Sequence, residues 1–138
     1  VLIGISWLGS DVHRDVGRAI TRVAKELGRR VVFIASGDLS HVLKKDGPYG
    51  YRPEGPIFDA EIARIFREGD LEALFHFEPS ILRKAAECGL RSFQMMTGVL
   101  DGAPYESELY SYEGTFGVGY AVAGVTPVDV KATHHKEP

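Results

Sequence analysis

Five apolar residues in unbroken succession, Val31, Val32, Phe33, Ile34 and Ala35, end at Ser36 and Gly37. An acid, a hydroxyl and a histidine follow: Asp38, Ser40 and His41. A run without alternation suits a strand covered on both faces, as in a parallel sheet flanked by helices. No other stretch constrains the fold as strongly. Open α/β sheets place ligand sites beyond the carboxyl ends of their strands, so the polar groups of Ser36, Asp38, Ser40 and His41 are the first place to look for chemistry.

The neighbouring segments extend this reading. "VLIGISW", residues 1–7, has the character of a second strand, and Val12, Val16, Ile20, Val23 and Leu27 recur at helical spacing up to Gly28. Together with the apolar run they describe a βαβ unit with a right-handed crossover. Residues 42–55 are rich in glycine and proline beside Tyr49 and Tyr51, which predicts a loop, and residues 44–55 are candidates for a lid over His41. Helices are expected over 57–68 with Pro56 at the first position, in "DLEALFHF", in "EPSILRKAAECG" up to Gly89, and around Leu90, Phe93, Met96 and Leu100. Beyond these, period-two alternation in Phe116, Val118, Tyr120 and Val122 predicts a strand paired with residues 106–113 as a hairpin. The expected fold class is α/β, a βαβ-containing and largely parallel sheet with flanking helices and a carboxyl-terminal hairpin. Residues 1–126 form one domain in this reading, and 127–138 a loose tail.

Composition narrows the function classes. The 138 residues suit one domain. A net charge of −3, with 16 basic and 19 acidic residues, gives no electrostatic reason to expect nucleic acid or an anionic membrane as partner. One cysteine excludes an intrachain disulfide framework, and no long apolar span or basic-then-apolar leader is present. The expectation is a soluble, cytoplasmic protein. The sequence opens inside strand-like residues, so a missing amino-terminal half is expected as partner, or else a homo-oligomer.

His41 leads the chemical candidates. An imidazole titrates near neutral pH and can accept or donate a proton, and Asp38 is placed to orient it. The bland alternative makes Asp38 or Ser40 the cap of a short helix, with His41 solvated in its first turn. Cys88 is either a buried structural thiol or a metal ligand or reactive thiolate near a helix amino terminus. Glu87 is a solvated helix-end acid or a ligand. His13 is expected exposed, His76 partly buried, and His134 and His135 able to hold a stray divalent metal. The glycines of "GVGY" lie inside a strand rather than between strand and helix, so they suit close packing better than phosphate binding.

Four stretches, "IASGDLSH", "DGPYGYRPEGPIFD", "AAECGLRSF" and "YESELYSYEGTFGVGYAVA", together resemble the superfamily of class III extradiol ring-cleavage dioxygenases. Within it the likeness is to domains linked to the AmmeMemoRadiSam group, and it matches the carboxyl-terminal half of such a domain. The resemblance implies a ferrous ion held by two histidines and a carboxylate, open to a small aromatic substrate and dioxygen. The two histidines would come from a half absent here. His41 would match the histidine that exchanges protons with bound substrate, with Ser36, Asp38, Ser40, Tyr49 and Tyr51 in supporting or substrate-side places. The remaining ligand would fall on Glu87, or on Cys88, which would point to the Memo branch, to copper or zinc, and away from ring cleavage. The expected function is extradiol ring cleavage of a catecholic substrate with ferrous iron; the alternatives are a Memo-like metal-binding or redox protein and a non-catalytic module of a larger protein.

Overall fold

The computed structural model describes residues 1–100 and 102–128. Helix α1 spans Ser10–Glu26, α2 Glu54–Glu68, α3 Pro79–Ala85 and α4 Leu90–Leu100, with a 3₁₀ turn at Leu71–Phe75. Strands β1 (Tyr105–Glu113) and β2 (Tyr120–Pro127) pair antiparallel, with an irregularity between Leu109 and Ser111. The class is α/β as expected, but the sheet among the described residues is this hairpin alone.

The buried core lies between α2, α4, the 3₁₀ turn and the hairpin. Phe58, Ile62, Ile65 and Phe66 recur on one face of α2 and meet Leu71, Leu74, Leu90, Phe93 and Leu39. The hairpin turns Leu109, Ala121, Ala123 and Val125 toward this core and leaves Tyr110, Tyr120 and Val122 exposed. Its small inward residues let the sheet lie close to α2. The Tyr105 hydroxyl donates to the Gly69 carbonyl at 2.9 Å and the Ser107 hydroxyl to Phe66 at 2.7 Å. These bonds occupy carbonyls that the end of α2 leaves unpaired.

The two segments read as central strands differ from expectation. Neither Val1–Trp7 nor Val31–Ala35 joins a ladder among the described residues. Val32 is 88% exposed and Ile34 82%, and Trp7 is also solvent-facing. A strand exists through the N–H and C=O groups of its neighbours, and no described segment offers them here, so the βαβ unit is not formed. Helix α1 shows the same deficit. It packs on α4 through buried His13 and Gly17, while Val12, Val23 and Leu27 of its apolar stripe stay exposed. The contact is close because a Cβ on Gly17 would lie 2.0 Å from the Met95 carbonyl oxygen, and one on Gly98 2.0 Å from that of Arg14.

Smaller corrections follow from local hydrogen bonding. His13 is buried rather than exposed. Its Nδ1 donates to the Gly9 carbonyl at 3.0 Å and its Nε2 accepts from the Ser6 N–H at 3.2 Å. Helix α2 begins at Glu54, placing Pro56 inside its first turn rather than at its first position. Helix α3 ends before Gly89, at Ala86 in a left-handed conformation with φ 53°. His76 is exposed. His134, His135 and the tail beyond Val128 lie outside the described residues.

Candidate functional site

The turn after the apolar run is built by contacts from three directions. Leu39 N–H donates to Gly119 O at 2.9 Å, and Gly119 N–H returns a bond to Ser40 O at 2.8 Å. The Ser40 hydroxyl donates to Ala85 O at 2.8 Å and His41 N–H to the same oxygen at 3.3 Å. From α2, the Asp59 carboxylate accepts the Ser40 N–H at 2.8 Å. No helix starts at His41, so the capping alternative for Asp38 and Ser40 does not describe this turn.

Two glycines bring this turn against the segment that opens α4. A Cβ on Gly37 would stand 2.5 Å from Gly89 Cα, and one on Gly89 2.9 Å from Asp38 O. With neither present, Cys88 N–H donates to Asp38 O at 3.3 Å and Asp38 N–H to Cys88 Sγ at 3.2 Å. Ligand-type atoms of Asp38, His41 and Cys88 thereby lie within 4.8 Å of one another.

The imidazole's orientation follows from its second nitrogen. His41 Nδ1 faces the Ala86 carbonyl, which can only accept, so Nδ1 donates there and Nε2 is turned toward Asp38. Nε2 lies 3.4 Å from Asp38 Oδ2. A carboxylate oxygen, an imidazole nitrogen and a sulfur thus converge, all three of them metal-ligating types, with the Cys88 thiol directed at the Asp38 carbonyl at 3.7 Å. The donor set therefore fits a metal ion. Tyr49 meets the His41 ring edge-on, with centroids 5.4 Å apart, so the loop lies beside the site.

The remaining sequence candidates are placed differently. Glu87 is outside the trio: its Oε2 accepts the Leu90 N–H at 2.8 Å at the start of α4. Cys88 is exposed rather than buried. Ser40 is buried, and besides its bond to Ala85 its hydroxyl accepts the Val42 N–H at 3.1 Å. Ser36 and Tyr51 are exposed. Tyr51 forms an isolated bridge with Leu43 that closes the loop's base.

Sequence reasoning passed over Asp59, which is 1% exposed. Its signal was present, since it shares the helix face of Phe58, Ile62 and Phe66. Burial pushes its carboxyl above the ordinary range, opposed by the Ser40 N–H, the Tyr112 hydroxyl and the nearby His41.

Comparison with known proteins adds a lineage to this geometry. The family model described as the catalytic LigB subunit of aromatic ring-opening dioxygenase matches residues 3–123. Protein CA_C1420 of Clostridium acetobutylicum is 47% identical over 106 residues, covering 77% of this chain and 23% of that protein. A MEMO1 family protein of Methanococcoides burtonii is 33% identical over 93 residues, covering 62% of this chain and 35% of the relative. The chain thus spans about a quarter to a third of the curated relatives it matches.

Proposed function

We infer function from one premise: this chain belongs to the family of the catalytic LigB subunit of aromatic ring-opening dioxygenases. We propose that, in the longer protein, it contributes Asp38, His41 and Cys88 to a metal site of the Memo-like kind, where ring cleavage is not the expected role. The observation that carries this reading is the meeting of those three side chains within 4.8 Å while Glu87 is engaged at α4. Sulfur in the donor set favours copper or zinc, and carboxylate with imidazole also admits ferrous iron. A bound ion would supply Lewis acidity and, if redox-active, electron exchange with a small ligand.

The chain's own residues do the positioning and proton work. Ala86 O fixes the His41 proton on Nδ1 and leaves Nε2 to ligate or to accept a proton. Asp38 Oδ2, 3.4 Å from Nε2, orients the ring. Tyr49 walls one side, and residues 44–55 serve as the lid that limits water access.

The second reading is ferrous cleavage of a catecholic ring by dioxygen, with His41 as acid-base group. It is supported by the description of the family itself. Under either reading we propose that residues 1–126 are the carboxyl-terminal half of a larger domain. Val1–Trp7 and Val31–Ala35 are then strands of a largely parallel sheet completed by sequence outside this chain, or by a second copy. Their exposed apolar side chains and the greater length of the relatives support this. A reducing cytoplasm suits the exposed thiol.

The test uses the full-length protein, purified without oxygen, with metal quantified before oxygen uptake is followed on a panel of catechols. Retained copper, zinc or iron without catechol-dependent uptake is expected. Rapid catechol-dependent uptake with iron bound would establish the second reading instead. A protein that retains and takes up no metal contradicts both.

A further inference from the structure

We infer that Asp59 is a positioning residue for His41, a buried strut that ties α2 and the hairpin to the turn carrying the imidazole. Its two carboxylate oxygens hold different parts of the chain. Oδ1 accepts the Ser40 N–H at 2.8 Å, one residue before His41, and Oδ2 accepts the Tyr112 hydroxyl of β1 at 2.7 Å. Burying a carboxylate is costly unless donors satisfy it. Here both oxygens are served, and the cost yields a fixed turn.

One neighbouring residue shows that the space is shaped around this carboxylate. A Cβ on Gly119 would lie 1.9 Å from Asp59 Oδ2, so any larger residue there would collide with it. Gly119 also brackets Ser40 and Leu39 through its own backbone bonds. On the far side, the Ser40 hydroxyl and His41 N–H converge on Ala85 O. His41 therefore follows a residue clamped from α2, from the turn before β2 and from the end of α3. Of these clamps, Asp59 is the side chain that joins Ser40 to α2 and, through the Tyr112 hydroxyl, to β1.

The inference rests on the reading of His41 as a ligand or acid-base group, and its test separates the two. In the full-length protein and its Asp59→Ala, Asp59→Asn and Tyr112→Phe variants, amide hydrogen exchange at Ser40 is compared with that at Ile62 and Phe66, and cobalt(II) affinity is measured through thiolate absorption. Asp59→Ala is expected to speed Ser40 exchange about tenfold or more relative to the two core amides, because the Ser40 N–H loses its charged acceptor. Cobalt affinity should fall roughly 10- to 100-fold, the usual effect of losing a supporting contact behind a ligand. Asp59→Asn keeps an acceptor for Ser40 and should restore most of both. A general structural role would shift Ser40, Ile62 and Phe66 together and leave cobalt affinity of the folded fraction unchanged, which would overturn the inference.

Tyr112→Phe covers the case in which the alanine variant does not fold, and is expected to raise the Ser40 ratio about fivefold. An unchanged ratio there, or an asparagine variant no better than alanine, would also overturn it. Absence of cobalt binding in the wild type would refute the metal reading alone, and Ser40 exchange would still decide the role of Asp59.

Discussion

Replacing Gly37 with alanine separates the two segments whose contact builds the site. The new Cβ would stand 2.5 Å from Gly89 Cα and 3.0 Å from Cys88 O, all backbone atoms without rotamers to yield. Ordinary carbon contacts begin near 3.5 Å, so the turn and the start of α4 must part by about 1 Å. Overpacking of this kind costs about 1–3 kcal/mol. The same movement stretches the bonds from Cys88 N–H to Asp38 O and from Asp38 N–H to Cys88 Sγ, now 3.3 and 3.2 Å. Their weakening adds about 1 kcal/mol, giving a total near 2–4 kcal/mol. Urea unfolding would read the stability change, and cobalt titration the loss of affinity as Sγ moves away from Asp38 and His41. Gly4→Ala is the control, because nothing lies within 4 Å of its Cβ position, and it should change stability by no more than about 0.5 kcal/mol. Gly37→Ala with wild-type stability and cobalt affinity would refute the claim that this close approach builds the site.

Three further outcomes follow from the same structure. Gly98→Ala should destabilise by about 1–3 kcal/mol despite alanine's better helix propensity, because its Cβ meets the Arg14 carbonyl oxygen at 2.0 Å; an unchanged thermal midpoint would contradict the α1–α4 packing. Asp59 holds its proton more tightly folded than unfolded, where the ordinary value is 3.8, so its contribution is full below that value and is lost as pH rises through the folded one. The stability of Asp59→Asn relative to wild type should therefore rise with pH above about 4. The depressed carboxyls of Glu54, beside Lys84, and Glu61, beside Arg64, act in the opposite sense but cancel in this difference; urea midpoints giving a flat or falling difference would refute it. His41→Ala should lower any turnover by roughly a hundredfold or more and also weaken metal retention, since Nε2 belongs to the trio; equal turnover at equal metal loading would remove the residue from the chemistry.

Local patterns carried the helices and the hairpin pairing, because amphipathic spacing and glycine or proline punctuation act within a few residues. Strand β2, however, begins only at Tyr120, which leaves Phe116, Gly117, Val118 and Gly119 of the alternating stretch in the turn before it. Phe58, Ile62, Ile65 and Phe66 face the core as their spacing predicts. The apolar run at Val31–Ala35 did not become a ladder, since strand formation depends on partners that its own sequence does not encode. His41, Asp38 and Cys88 were legible as chemical residue types. Their meeting was not, because it depends on Gly37 touching Gly89 across 52 residues. Glu87 and Cys88, adjacent in sequence, take different places in the structure: the glutamate accepts the Leu90 N–H, and the thiol lies against the Asp38 turn. Asp59 was missed because acids on helix faces are usually solvated, and its partners Ser40 and Tyr112 lie 19 and 53 residues away.

Cobalt(II) loading of the full-length protein, with Cys88→Ser and Glu87→Gln compared against wild type, addresses the trio most directly. The account predicts thiolate-to-cobalt absorption in wild type and in Glu87→Gln, and its loss, with affinity reduced roughly 10-fold or more, in Cys88→Ser. Wild-type affinity in Cys88→Ser together with loss of the metal in Glu87→Gln would contradict it and place the carboxylate, not the thiol, at the metal.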